Sequence, residues 1–67
     1  MLDLQKVLKG VNTGERNNTC YELAVHYNLL FRGDKDQIQM ILEVWNLRNQ
    51  PPLPKKELLQ IIKSITE

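Results

Sequence analysis

Three prolines within four residues, Pro51-Pro52-Leu53-Pro54, constrain the fold of this chain more than any other feature. Proline fixes its own φ, lacks an N–H and pushes the preceding residue out of the helical region. No helix can run through this stretch, and an extended connection is expected there. On either side, apolar residues recur at three-and-four spacing, and no segment sustains a period of two. The reading is all-α. Pro54 suits the first position of the last helix, where the N–H it lacks would be unpaired in any case.

The spacing predicts a compact bundle of four helices over about residues 3–9, 15–31, 35–48 and 54–65, the first of them short. Leu4, Val7, Leu8 and Val11 line the first, with Asp3 as N-cap and Gly10 as stop. Cys20, Leu23, Ala24, Tyr27, Leu30 and Phe31 share one face of the second, and Gly33 is expected to end it in a left-handed C′ conformation. Asp34 and Gln37 form a variant capping box for the third, whose buried stripe is Ile38, Ile41, Leu42 and Trp45. Leu58, Leu59, Ile61, Ile62 and Ile65 give the fourth a wide apolar face. The second helix has two readable starts. Thr19 with Glu22 makes a capping box, while Thr13-Gly14 would begin the helix earlier and turn Asn17 toward the core.

A chain of 67 residues has room for one domain, spanning 1–67, with a small core. Its net charge of +1 gives no strong overall attraction to nucleic acid, so any such role must rest on a local patch. One cysteine, Cys20, excludes an internal disulfide, and with one histidine, His26, the ligands of a usual structural zinc site are lacking. No cofactor is expected. No apolar run approaches the roughly 20 residues of a membrane span, and the N-terminal MLDLQKVLKG has no signal-peptide core. The expected setting is the cytoplasm, without a membrane partner.

The stretch Thr13-Gly14-Glu15-Arg16-Asn17-Asn18 puts a cation at or near the positive end of a helix dipole, where it is mildly opposed. Two explanations stand side by side. Arg16, Asn17 and Asn18 with free backbone N–H groups could hold a phosphate. Alternatively, Arg16 pairs with a carboxylate on another helix while the asparagines cap and tie the loop.

Three blocks together resemble a known family. Gly14, Arg16, Asn17, Asn18, Leu23 and Ala24 form G-x-R-N-N with a following L-A. Trp45, Asn46, Arg48 and Asn49 form W-N-x-R-N, and Pro51 to Leu58 read P-P-L-P-x-x-E-L. In order and spacing these are similar to the primase C-terminal domain family, over about residues 10 to 66. The resemblance implies a small helical module following the primase-polymerase catalytic domain in phage, plasmid and prophage replication proteins of bacteria, often ahead of a helicase domain. It implies that catalysis belongs upstream and that this chain is a part cut from a larger replication protein.

The remaining candidate residues have structural explanations. Trp45 falls on a core stripe, which favours packing over base stacking. His26 sits at a face edge without a ligand companion, and Cys20 is a small core residue. Asp34 and Asp36 fit helix initiation. No catalytic constellation is visible. Arg32 and Arg48 complement helix C-termini, while Lys56 and Lys63 share an exposed face of the fourth helix. If the helices fold back in turn, Arg16, Lys9 and Arg48 would gather at one end of the bundle.

Three functions follow. One is a noncatalytic accessory module contacting single-stranded template DNA or a nucleotide during primer synthesis, through Arg16, Asn17, Asn18, Arg48, Lys9, Lys56 and Lys63. Another is a docking or spacer module that orients the primase-polymerase domain relative to a helicase, through PPLP and the exposed side of the fourth helix. A third treats Arg32-Gly33-Asp34 as the turn of a DNA-reading helix-turn-helix, against which Asp36 and Glu43 count by phosphate repulsion.

Overall fold

The computed structural model describes residues 2–67; Met1, the first residue of the expected domain, lies outside them. Among the described residues there are four α-helices and no strand: α1 (Leu4–Val7), α2 (Arg16–Leu30), α3 (Lys35–Asn46) and α4 (Lys55–Thr66), with a 3₁₀ turn over Thr13–Glu15 leading into α2.

The Asp3 carboxylate accepts the Lys6 N–H at 3.3 Å and so opens α1 as expected. The helix is shorter than the spacing predicted, because Gly10 donates its N–H to the Val7 carbonyl at 3.0 Å and closes a turn with φ at +103°. That φ and the close approach behind it both require glycine. A Cβ at Gly10 would overlap the carbonyl oxygen of Arg48.

The second helix takes its earlier start, and Thr19 lies buried inside it rather than capping it. Asn17 is exposed, contrary to the expectation attached to that start. The buried stripe runs through Thr19, Cys20, Leu23, Ala24 and Tyr27, which leaves Asn17 at its edge in the first turn. Leu30, expected on that face, is 60% exposed. In the last turn it is Phe31, stacked on Tyr27 with ring centroids 5.7 Å apart, that packs against the core. The left-handed C′ residue is Arg32, with φ +53°, because helical bonding persists to Leu30. Gly33 follows one place later at φ +80°, and its N–H reaches the Asn28 carbonyl at 3.1 Å in the Schellman manner.

In α3, Asp34 caps through its carboxylate, which accepts the Gln37 N–H at 3.3 Å. The Gln37 side chain is not needed in return, since the Asp34 N–H donates to the Phe31 carbonyl at 3.2 Å. The helix stops at Asn46, two residues early. Arg48 and Asn49 donate their N–H groups three residues back, to Trp45 and Asn46, tightening the end into a turn. At α4, Pro54 is the N-cap rather than the first helical residue, with ψ at 140° and its carbonyl accepting the Leu58 N–H at 3.1 Å.

Helices α2, α3 and α4 pack against one another around Cys20, Leu23, Ile38, Leu42, Trp45, Leu58 and Ile62, all almost fully buried. Each large aliphatic side chain so buried stabilises the fold by about 1.5–3 kcal/mol before conformational entropy is set against it. Leu53, in the middle of PPLP, joins this core at 4% exposure, so the extended connection is also a core element. The Gln50–Pro51 peptide bond is cis.

Candidate functional site

Core burial of Leu53 creates a polar problem, because its backbone N–H and C=O leave water with it. Asn46 answers both: its Oδ1 accepts the Leu53 N–H at 2.8 Å and its Nδ2 donates to the Leu53 carbonyl at 2.9 Å. The amide does for Leu53 what a neighbouring strand would do. Asn49, 1% exposed, donates its Nδ2 to Asn46 Oδ1 at 3.1 Å, and its own Oδ1 accepts the Val11 N–H at 2.9 Å.

The rest of W-N-x-R-N continues the pattern toward the N-terminal segment. Trp45 donates its indole Nε1 to the Val7 carbonyl at 2.8 Å, and Arg48 donates Nη1 to the Leu8 carbonyl at 2.8 Å. Both carbonyls lie at the end of α1, that of Val7 accepting the Gly10 N–H as well and that of the cap residue Leu8 lying beyond the last helical bond. From α2, Arg16 donates Nη1 to the carbonyls of Pro51 and Pro52 at 2.6 and 2.9 Å. The expected carboxylate partner of Arg16 is thus replaced by two backbone oxygens. Its Nε is buried without a hydrogen-bond partner among the described residues.

The network brings the end of α1, the start of α2 and the end of α3 together around the proline segment. Of the residues singled out for anion contact, Arg16 and Arg48 are in it. Lys9 follows the Leu8 carbonyl that Arg48 holds, and is exposed. Asn17 and Asn18 are exposed in the first turn of α2. Lys56 and Lys63 are exposed on α4 and lie outside the network. Lys55 sits 3.7 Å from Glu43, and Lys35 3.9 Å from Glu67, as solvent-facing pairs of small energetic weight.

Trp45, 1% exposed, is a core residue with its one polar atom satisfied. Cys20 is fully buried, and desolvation pushes its thiol up from 9.0 to about 12, far from a nucleophile's range. His26 is half-buried and packs edge-on against Tyr27, with centroids 5.1 Å apart. No group of three or more His, Cys, Asp or Glu able to hold a metal occurs among the described residues.

One surface was missed by the sequence reading. Met40, Val44 and Leu47 form an outward ridge on α3, exposed by 60, 50 and 78%. A shallow hollow of about 430 Å³, bordered by Asp36, Gln39 and Glu43, lies along one side of it. A second, of about 400 Å³, lies along the other, with Leu8, Tyr27, Ile41, Trp45 and Arg48 in its walls. The signal was present as spacing of four and three on the face opposite Ile38 and Leu42, masked by the stronger buried stripe.

Together the three-helix core and its side-chain network define a small all-helical domain. The chain belongs to the Primase C terminal 1 (PriCT-1) family, whose model matches residues 4–67. This is a C-terminal accessory domain of primase-type proteins. No curated protein and no solved structure matches the chain. No helix is long and apolar enough to cross a membrane among the described residues.

Proposed function

We propose that this domain is a noncatalytic docking module, one that holds a fixed position between the primase-polymerase domain and a helicase or other replication component. The observation that carries this reading is where its signature side chains spend their hydrogen bonds. Arg16, Trp45, Asn46, Arg48 and Asn49 all donate to, or accept from, backbone atoms of the chain itself. A motif used this way fixes shape, and a fixed shape with an exposed apolar ridge serves contact with protein.

A second reading keeps specific support. Asn17 and Asn18 are exposed in the first turn of α2, at the positive end of its dipole, and Arg48 and Lys9 are both exposed. That arrangement suits weak, salt-sensitive contact with single-stranded DNA or a nucleotide, with Arg16, Lys56 and Lys63 adding charge.

Backbone amide NMR separates the two. The labelled domain is titrated with a short single-stranded DNA, with and without a nucleoside triphosphate, at low and then physiological salt. The docking reading expects no shifts at low salt. Shifts clustered on residues 13 to 20 and around Arg48, fading as salt rises, would replace it with the template-binding reading.

A further inference from the structure

We infer that the α3 ridge of Met40, Val44 and Leu47 is the docking face, and that its occupant is an amphipathic helix carrying Lys or Arg along one flank. This rests on the docking reading above and names the partner for it. The ridge has helical periodicity and a hollow on each side, which is the relief that a second helix fills when ridges pack into grooves. Met40 to Leu47 spans two turns, about 10 Å of axis, enough to seat apolar side chains from three successive turns of a crossing helix.

Charge selects the kind of helix. The hollow on the α4 side is walled by two carboxylates, Asp36 and Glu43, and by no cation. Asp36 has a local explanation in the N-terminal dipole of α3, whereas Glu43 opens the last turn, where the dipole opposes a carboxylate, and Lys55 is its ion-pair partner. Its contact to Lys55, 3.7 Å long and with both side chains well exposed, is easily exchanged for a partner's cation. A helix with basic residues on the flank that falls over this hollow meets two carboxylates, whereas an acidic flank is repelled.

The same charges argue against a second copy of this chain. A two-fold contact through the ridge places Val44 near the axis, so Glu43 of one copy faces Glu43 of the other. The alternative, the ridge against the exposed Tyr21, Val25 and Leu29 of α2, joins unlike surfaces and does not close into a dimer.

The test uses the labelled 67-residue chain and two synthetic helical peptides of about 18 residues, with leucines spaced to face a groove and flanks of either lysine or glutamate. Expected with the lysine peptide are shifts confined to the ridge, the two hollows and the Trp45 indole. The glutamate peptide should bind at least about ten-fold more weakly, as loss of two favourable charge contacts implies. Val44→Asp should abolish binding without lowering the melting temperature, and the double substitution Asp36→Lys with Glu43→Lys should reverse the preference. Equal binding of both peptides, or of neither, overturns the inference, as does sedimentation showing self-association through the ridge. Lysine-peptide shifts confined to α4 and PPLP overturn this face while leaving the docking reading in place. DNA-induced shifts at residues 13 to 20 strike the docking reading itself.

Discussion

The Asn49 side-chain oxygen accepts the Val11 N–H at 2.9 Å, joining positions 38 residues apart, from a side chain that is almost wholly buried. Through Nδ2 the same amide orients Asn46, which in turn holds Leu53 in the core. One residue therefore ties the N-terminal segment and the proline segment to the end of α3.

Asn49→Ala should cost about 2–4 kcal/mol, since it strands the part-buried Val11 donor, takes one of two donors from the buried Asn46 oxygen and leaves a gap where a fully buried side chain stood. A small domain has only a few kcal/mol to lose, so the melting temperature should fall by about 10–20 °C. Asn49→Asp keeps an acceptor for Val11 but loses the donor to Asn46 and should also destabilise. Thermal unfolding by circular dichroism reads both.

Arg16→Ala removes both bonds to the proline carbonyls and should lower stability by about 1–3 kcal/mol. Arg16→Lys should recover only part of this, because a flexible lysine stem does not hold its ammonium between the two carbonyls as the planar guanidinium holds Nη1. Calorimetry on the two variants gives the order: wild type, then lysine, then alanine. An alanine variant as stable as wild type would remove the structural role.

Two glycines should differ sharply in their tolerance of a methyl group. Gly10→Ala meets both a left-handed φ and the fixed backbone of Arg48, and should cost upward of about 2 kcal/mol. Gly14→Ala meets nothing within 4 Å and should change stability by less than about 0.5 kcal/mol. Urea unfolding of the pair makes the comparison.

The Cys20 thiol should resist alkylation in the native state and react fully once the chain is unfolded in denaturant. Its pH linkage has a definite sign. The unfolded chain releases this proton near 9.0 and the folded chain only near 12, so the thiol's contribution is constant below pH 9 and falls as pH rises from there. Cys20→Ala should flatten that part of the stability profile.

Helices α2 to α4 were legible because each carries a wide apolar face at helical spacing, and the class could be read from Leu23, Leu42 and Leu58 with their neighbours. Ends were less legible. Whether Thr19 or Thr13 opens α2 depends on which competing cap the tertiary structure buries, and Asn17 stays exposed even though the earlier start prevails. The network was visible only as a list of polar letters. Nothing local says that Asn46 will serve Leu53 seven residues on while Asn49 serves Val11 far behind, since partners at such separations are chosen by packing. Arg16 illustrates the same limit, for the sequence shows a misplaced cation and only the fold supplies the proline carbonyls that hold it.

Apart from the bond between Asn49 and Asn46, these tethers end on main-chain atoms: the carbonyls of Val7, Leu8, Pro51, Pro52 and Leu53, and the N–H groups of Val11 and Leu53. Main-chain atoms are the same whatever side chain is attached. The cost of substitution is thus lopsided: at Leu8 or Pro52 a new residue can be accepted so long as its backbone keeps its course, while at Arg16, Asn46 or Asn49 even a close chemical cousin breaks a joint. In a saturation screen the chain would behave as a short set of irreplaceable letters holding a longer set of negotiable ones.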